Sequence, residues 1–323
     1  MIAVILNHTY NIVFTNQMLL LHTIFSVTMF VFVGGITAAI SIDRQAEVKP
    51  IYLMRRITGI LVPYLFAALA YHVYVYKGHF SYVLFYQQLI GFSYPAMYYI
   101  AFFIQLVLIS TFLFKLIKAK YNSPIILLII GLIYLLSFYF TNYTKIADIG
   151  LAGANILGGT YLFVFSMGIL FFFWMPKLSN IKAGSVIFSL SVIGLLIFEY
   201  KDYILSSWAN PPKTLTMIYT LLVFGIVFGM FNIIKSKLHY IQGFLNVFNY
   251  IGKNSLYIYL YHFLFITIST QHNVVKYFGI SSNWLNAIWV LSCAIVPPLL
   301  IAFVTNRYIR PNYKKLFFYN NSK

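Results

Sequence analysis

From Met1 to Ile42 the chain carries no Asp, Glu, Lys or Arg. A helix needs about 20 residues to cross a hydrocarbon core of roughly 30 Å. That opening run is therefore too long for one crossing, and it divides at the polar break Thr15-Asn16-Gln17 into segments near 1–14 and 19–42. The pattern continues to the end of the chain, with further apolar runs near 57–76, 97–117, 123–140, 158–174, 183–198, 214–234, 254–270 and 285–306. Only here does composition decide something. Charged residues make up 8% of the chain, against about 25% in globular proteins, too few to coat a soluble domain. With 61% hydrophobic residues the chain is equally unlike a disordered one, which is apolar-poor and charge-rich. The expectation is an all-α, polytopic membrane helix bundle of about ten transmembrane helices, forming one membrane-embedded domain over 1–323.

Charge placement orients the bundle. With the N-terminus in the cytoplasm and ten alternating spans, the outer segments hold Lys77, Lys145, Lys201, Lys213 and Lys276. The other 17 of the 22 Lys and Arg, among them Arg310, Lys314, Lys315 and Lys323, fall in inner segments. This is the positive-inside bias, and it places both termini in the cytoplasm. It accounts for most of the +17 net charge without nucleic-acid binding, and it gives the inner face an attraction for anionic lipid headgroups. The N-terminal segment lacks a basic n-region and a small-residue cleavage site, and reads as a retained span. A single cysteine, Cys293, excludes a disulfide framework or a Cys₄ metal site.

The acidic residues Asp43, Glu47, Asp148, Glu199 and Asp202 all fall in loops or at span ends. Ion-coupled transporters commonly place a carboxylate inside the bilayer, so this pattern argues against one. It also removes the usual carboxylate partner of a catalytic histidine. Attention moves to the histidines within spans: His8, beside Asn7, and His262, at the end of Ser255-Leu-Tyr-Ile-Tyr-Leu-Tyr-His262. His22 and His72 lie nearer the outer ends of their spans. The plain reading of each is an interhelical hydrogen bond of about 1 kcal/mol; the functional one is acid–base chemistry. No two histidines share an i, i+3 or i, i+4 spacing, so no metal site is expected. Arg55-Arg56 at the inner start of the third span is either a topology signal or a fork for phosphate. Lys115, Lys118 and Lys120 stand at the same inner mouth. The pairs Gly34-Gly35 and Gly158-Gly159 suit close helix packing.

These residues carry a resemblance over nearly the whole chain. Ala3-Val-Ile-Leu-Asn-His8, Phe30-Val-Phe-Val-Gly-Gly35, Arg55-Arg-Ile-Thr-Gly-Ile-Leu-Val-Pro63, Tyr99-Ile-Ala-Phe-Phe-Ile-Gln105 and Ile251-Gly-Lys-Asn-Ser-Leu-Tyr-Ile-Tyr-Leu-Tyr-His262 resemble the type 3 family of integral-membrane acyltransferases. The last stretch is the most specific. The third- and fourth-span segments are especially similar to the membrane component C of the intercellular-adhesion systems that make poly-N-acetylglucosamine. Two positions depart from the family pattern: its basic residue ten positions ahead of the histidine would fall before Met1, and Gly59 stands where a second spaced Arg is common.

The resemblance implies a multi-pass protein of the cell membrane that O-acylates an exopolysaccharide, a modification of the cell envelope linked to biofilm. An acetyl or succinyl group would pass from cytoplasmic acyl-CoA to hydroxyls of an extracellular or nascent glycan. Arg55 and Arg56 are then expected to hold the acyl-CoA phosphates, His8 to act as general base, His262 to position or donate to the oxyanion, and Asn7 to orient His8. Acyl-CoA is a substrate and no cofactor is expected; the partners are the glycan acceptor, membrane lipids and a glycan synthase complex. The rival expectation is a polysaccharide exporter without acyl chemistry.

Overall fold

The computed structural model describes residues 1–45, 49–77, 79–95, 97–143, 155–201, 203, 211–272 and 283–309. Among the charged residues used above, Glu47, Lys145, Asp148, Asp202, Lys276, Arg310, Lys314, Lys315 and Lys323 lie outside them. Thirteen α-helices run in chain order among the described residues: α1 Ile2–His8, α2 Gln17–Leu21, α3 Phe25–Asp43, α4 Pro50–Val75, α5 Tyr82–Ile90, α6 Tyr98–Lys118, α7 Ile125–Tyr143, α8 Tyr161–Leu178, α9 Ile181–Tyr200, α10 Thr214–Ile234, α11 Gln242–Lys253, α12 Ser255–Gln271 and α13 Asn283–Val304. No strand occurs among the described residues. Among the described residues eight helical segments are long and apolar enough to cross a membrane, α2 and α3 counting as one. The all-α polytopic membrane class is thus what the sequence forms, with eight such segments in place of about ten.

The two differences have local causes. The expected first span is helical only over Ile2–His8. Asn11 takes a left-handed φ of 62°, a conformation Asn tolerates better than most residues, and the chain turns back there with Asn11 N–H donating to Phe14 O at 2.7 Å. The expected ninth span is α12, 17 residues long, at the lower edge of the roughly 17–25 residues a spanning helix needs.

Chain contacts gather the fold into two compact units, Met1–Asn16 with Gln242–Lys323, and Gln17–Ile241. In the second, α3 is the hub and packs on α6, α8 and α10. In lipid no hydrophobic drive pulls helices together, so close approach depends on small residues. A Cβ on Gly35 would strike the backbone of Phe165, and one on Gly168 the carbonyl of Phe32. Gly34–Gly35 therefore serves as the packing surface its sequence suggests. Around this crossing Val31, Phe32, Ala38, Ala39, Phe165 and Ile169 are buried. Gly184, Gly225 and Gly229 let α9 and α10 approach in the same way.

Gly158–Gly159 differs. Both glycines have positive φ, 69° and 60°, in a tight turn before α8, so they re-aim the chain rather than line a helix face. The expected span 158–174 accordingly begins later, at Tyr161. In the first unit Ile5, Ile258, Ile266, Val290 and Ala294 form the buried core that fixes α1, α12 and α13. α11 leaves Phe244, Val247 and Phe248 exposed on one face, as befits a helix lying in a membrane interface.

Candidate active site

The fold brings His8 and His262 together. α1 ends at His8 and packs on the middle of α12, so the two rings lie 5.0 Å apart between centroids at 52°. Phe263 meets the His8 ring edge-on at 5.5 Å. The pair differs in access: His262 is fully buried, whereas His8 is partly exposed.

Hydrogen bonding fixes the state of His262. Its Nδ1 lies 3.0 Å from Ile258 O and 2.7 Å from Tyr259 O. Carbonyls only accept, so Nδ1 carries the proton, and in the neutral ring Nε2 holds a lone pair. That Nε2 is buried with no hydrogen-bond partner among the described residues. Buried polar atoms are paired as a rule, and exceptions cluster at reactive groups. The position that was expected to donate to an oxyanion is, in its neutral form, an acceptor. Nothing in the sequence signals this, because the lock is made by backbone carbonyls one turn earlier. Asn7 stands on α1 directly before His8 and is half-buried.

The other histidines are committed elsewhere. His72 is fully buried; its Nε2 accepts from Ser81 N–H at 3.4 Å and its Nδ1 pairs with the Tyr94 hydroxyl at 3.1 Å. Burial and the neighbouring Tyr76 push the Tyr94 hydroxyl, in the loop before α6, up to about 12, so it stays protonated. His22 uses both nitrogens, one on Met18 O at 2.6 Å and the other in an ion pair with Glu199 at 2.9 Å. With both positions filled neither ring has a nitrogen to offer a substrate, and hydrogen bonding within the fold accounts for both.

The arginines belong to the second unit, on α4 rather than in the loop ahead of it, because Pro50 at the first helical position starts the helix early. Arg56 donates from Nη1 to the Tyr52 hydroxyl at 2.9 Å, with its guanidinium 5.7 Å from that ring. Arg55 is exposed beside it. Gly59 has open space where a Cβ would stand. Of the neighbouring lysines, Lys118 is taken up by Asp43 at 2.9 Å.

No curated protein and no solved structure gives a significant match to this chain. A family model described as an acyltransferase domain does, over residues 1–307. That range takes in the histidine pair, the arginines and all thirteen helices. With its eight membrane-length helices and a match over nearly its whole length, the chain belongs to the acyltransferase 3 family of membrane acyltransferases.

Proposed function

We propose that the protein transfers an acetyl or succinyl group from cytoplasmic acyl-CoA to a hydroxyl of a cell-envelope polysaccharide, with His8 as the base. The observation that supports this is the unpartnered, buried Nε2 of His262 beside the more accessible ring of His8. A sugar hydroxyl is a weak nucleophile, and a positioned base that removes its proton during attack contributes roughly 10²–10⁴-fold. His262 takes the place a carboxylate holds in a triad: once substrate is bound, its Nε2 accepts a hydrogen bond from the His8 ring N–H and sets the tautomer, leaving the other His8 nitrogen basic. Catalytic hydrogen bonds are commonly long before substrate binds and tighten in the complex. The hydroxyl oxygen bonds to the thioester carbonyl carbon, its proton passes to His8, the C–S bond breaks, and the thiolate of CoA leaves and takes the proton back. Asn7, next to His8 on α1, orients the His8 ring in this reading. Arg55 and Arg56 bind phosphate of the donor, Tyr52 holding Arg56 in position.

The resemblance of the third- and fourth-span segments to the membrane component of the poly-N-acetylglucosamine systems supports an exopolysaccharide acceptor made by a synthase in the same cell membrane. Mass spectrometry of the surface glycan from cells with and without the protein tests the reading. An acetyl or succinyl mass increment that depends on the protein is the expected result. A glycan that fails to reach the surface, with no change in substitution, would establish export instead.

Arg56→Glu is expected to raise the apparent KM for acyl-CoA about tenfold or more, since charge-assisted contacts to phosphate are the strong ones. Steady-state kinetics on membranes containing equal amounts of protein checks it. An unchanged KM would leave Arg56 as a topology residue.

A further inference from the structure

At the junction of α11 and α12, Tyr250, Lys253 and Asn254 face Phe303, Asn306 and Arg307 from the end of α13 across a cleft of about 560 Å³. All six residues lie in the unit that holds the histidine pair. The volume is within the roughly 300–1,000 Å³ usual for small-molecule sites.

Two local departures from regular helix shape the cleft. α13 ends in a π-helical turn over Thr305–Ile309, a rare geometry that recurs at functional sites. Asn254, buried between the two helices, accepts from Asn306 Nδ2 at 3.1 Å and donates to Tyr250 O at 2.9 Å. Its side chain therefore makes no cap hydrogen bond to α12, and no acidic residue stands in the first turn. α12 thus begins without a side-chain cap, directly after the C-terminal end of α11. Arg307 is held along the wall, 5.8 Å from the Phe303 ring and 5.7 Å from that of Tyr308. The ion pairs among the described residues are His22–Glu199 and Lys118–Asp43, so among those residues no carboxylate pairs with Lys253 or Arg307. Both cations sit at the end of the unit that the positive-inside bias assigns to the cytoplasm.

We propose that this cleft binds the phosphate-bearing nucleotide end of the acyl-CoA donor, with Lys253 and Arg307 on the phosphates and the Tyr250 and Phe303 rings offering faces to the adenine. The assignment rests on acyl-CoA being the donor, and it adds a docking site within the unit of the histidines to the arginines of α4. His262 stands eight residues beyond Asn254 on α12, or about 12 Å of helix, so the cleft and the histidine pair lie at two heights of one helix. The headgroup of an anionic lipid shares the phosphate chemistry and is the competing source.

The test uses the full chain in nanodiscs and titrates acetyl-CoA and acetyl-pantetheine, which has no phosphate, into the wild type and the Lys253→Gln/Arg307→Gln variant. Both side chains are exposed, so an unchanged melting temperature confirms folding; Asn306→Ala serves as a milder second variant. The expected result is an affinity for acetyl-CoA lowered about tenfold or more, or roughly 1.4 kcal/mol per tenfold, with that for acetyl-pantetheine unmoved. Unchanged acetyl-CoA affinity would overturn the cleft while leaving the acyltransferase reading intact. The same result together with loss of co-purifying phosphatidylglycerol would make the cleft a lipid headgroup site and overturn it equally. A wild type that binds no acetyl-CoA would overturn both.

Discussion

Acyl transfer by the His8→Ala variant is expected to fall by about 10²–10⁴-fold, the usual worth of a positioned base, while the protein still accumulates in the membrane. His262→Gln, which keeps most of the side-chain volume in a fully buried position, is expected to fall comparably. The informative measurement is the double variant. Two rings 5.0 Å apart that act on one proton form a unit, and losses within a unit do not multiply. The combined variant should be no slower than the slower single one. Multiplied losses would show two independent roles; a near-wild-type His8→Ala would remove the pair from the chemistry and leave it as packing.

The second large effect concerns assembly. Gly35→Leu or Gly168→Leu drives a side chain into the backbone of the facing helix. The obstacle is main chain, so no rotamer change relieves it, and α3 and α8 must separate. The loss should reach or exceed the top of the ~1–3 kcal/mol range of ordinary overpacking. Gly131 on α7 is the control, since nothing lies within 4 Å of a Cβ there. Gly131→Ala should be neutral or stabilise by up to about 1 kcal/mol, because glycine in a helix is the costlier residue. Thermal unfolding in detergent compares the three. An unperturbed Gly35→Leu would mean that this crossing does not hold the bundle together.

Much of the fold was legible because charge and apolarity are segregated along the chain. The segments 97–117 and 183–198 return as Tyr98–Lys118 and Ile181–Tyr200, since in lipid each span must satisfy its own backbone and apolar length is decisive. The first span departs from its reading for a physical reason: Ile12, Val13 and Phe14 are as apolar as any helix, yet the helix stops at His8 and a left-handed Asn11 turns the chain back. At the site, the residue types of His8 and His262 could be read, and their candidacy with them. Their meeting across 254 positions of chain could not, nor could the tautomer of His262, which two main-chain oxygens determine. Lys253 and Arg307 were counted as topology signals, because a sequence shows the sign of a charge and not the cleft it faces.

The short opening helix has a bearing on how protons reach the reaction. Beyond His8 the main chain leaves the helix and bonds locally, Ile12 and Val13 N–H donating to Thr9 O. Main chain outside a helix or a closed barrel is tolerated at bilayer depth only when it is enclosed by protein or wetted, and at headgroup depth it meets solvent directly. His8 is partly exposed at the end of that helix, whereas His262 beside it is fully buried. In the proposed transfer a proton taken from an alcohol therefore passes to the more open ring of the couple and leaves it with the thiol of the departing CoA.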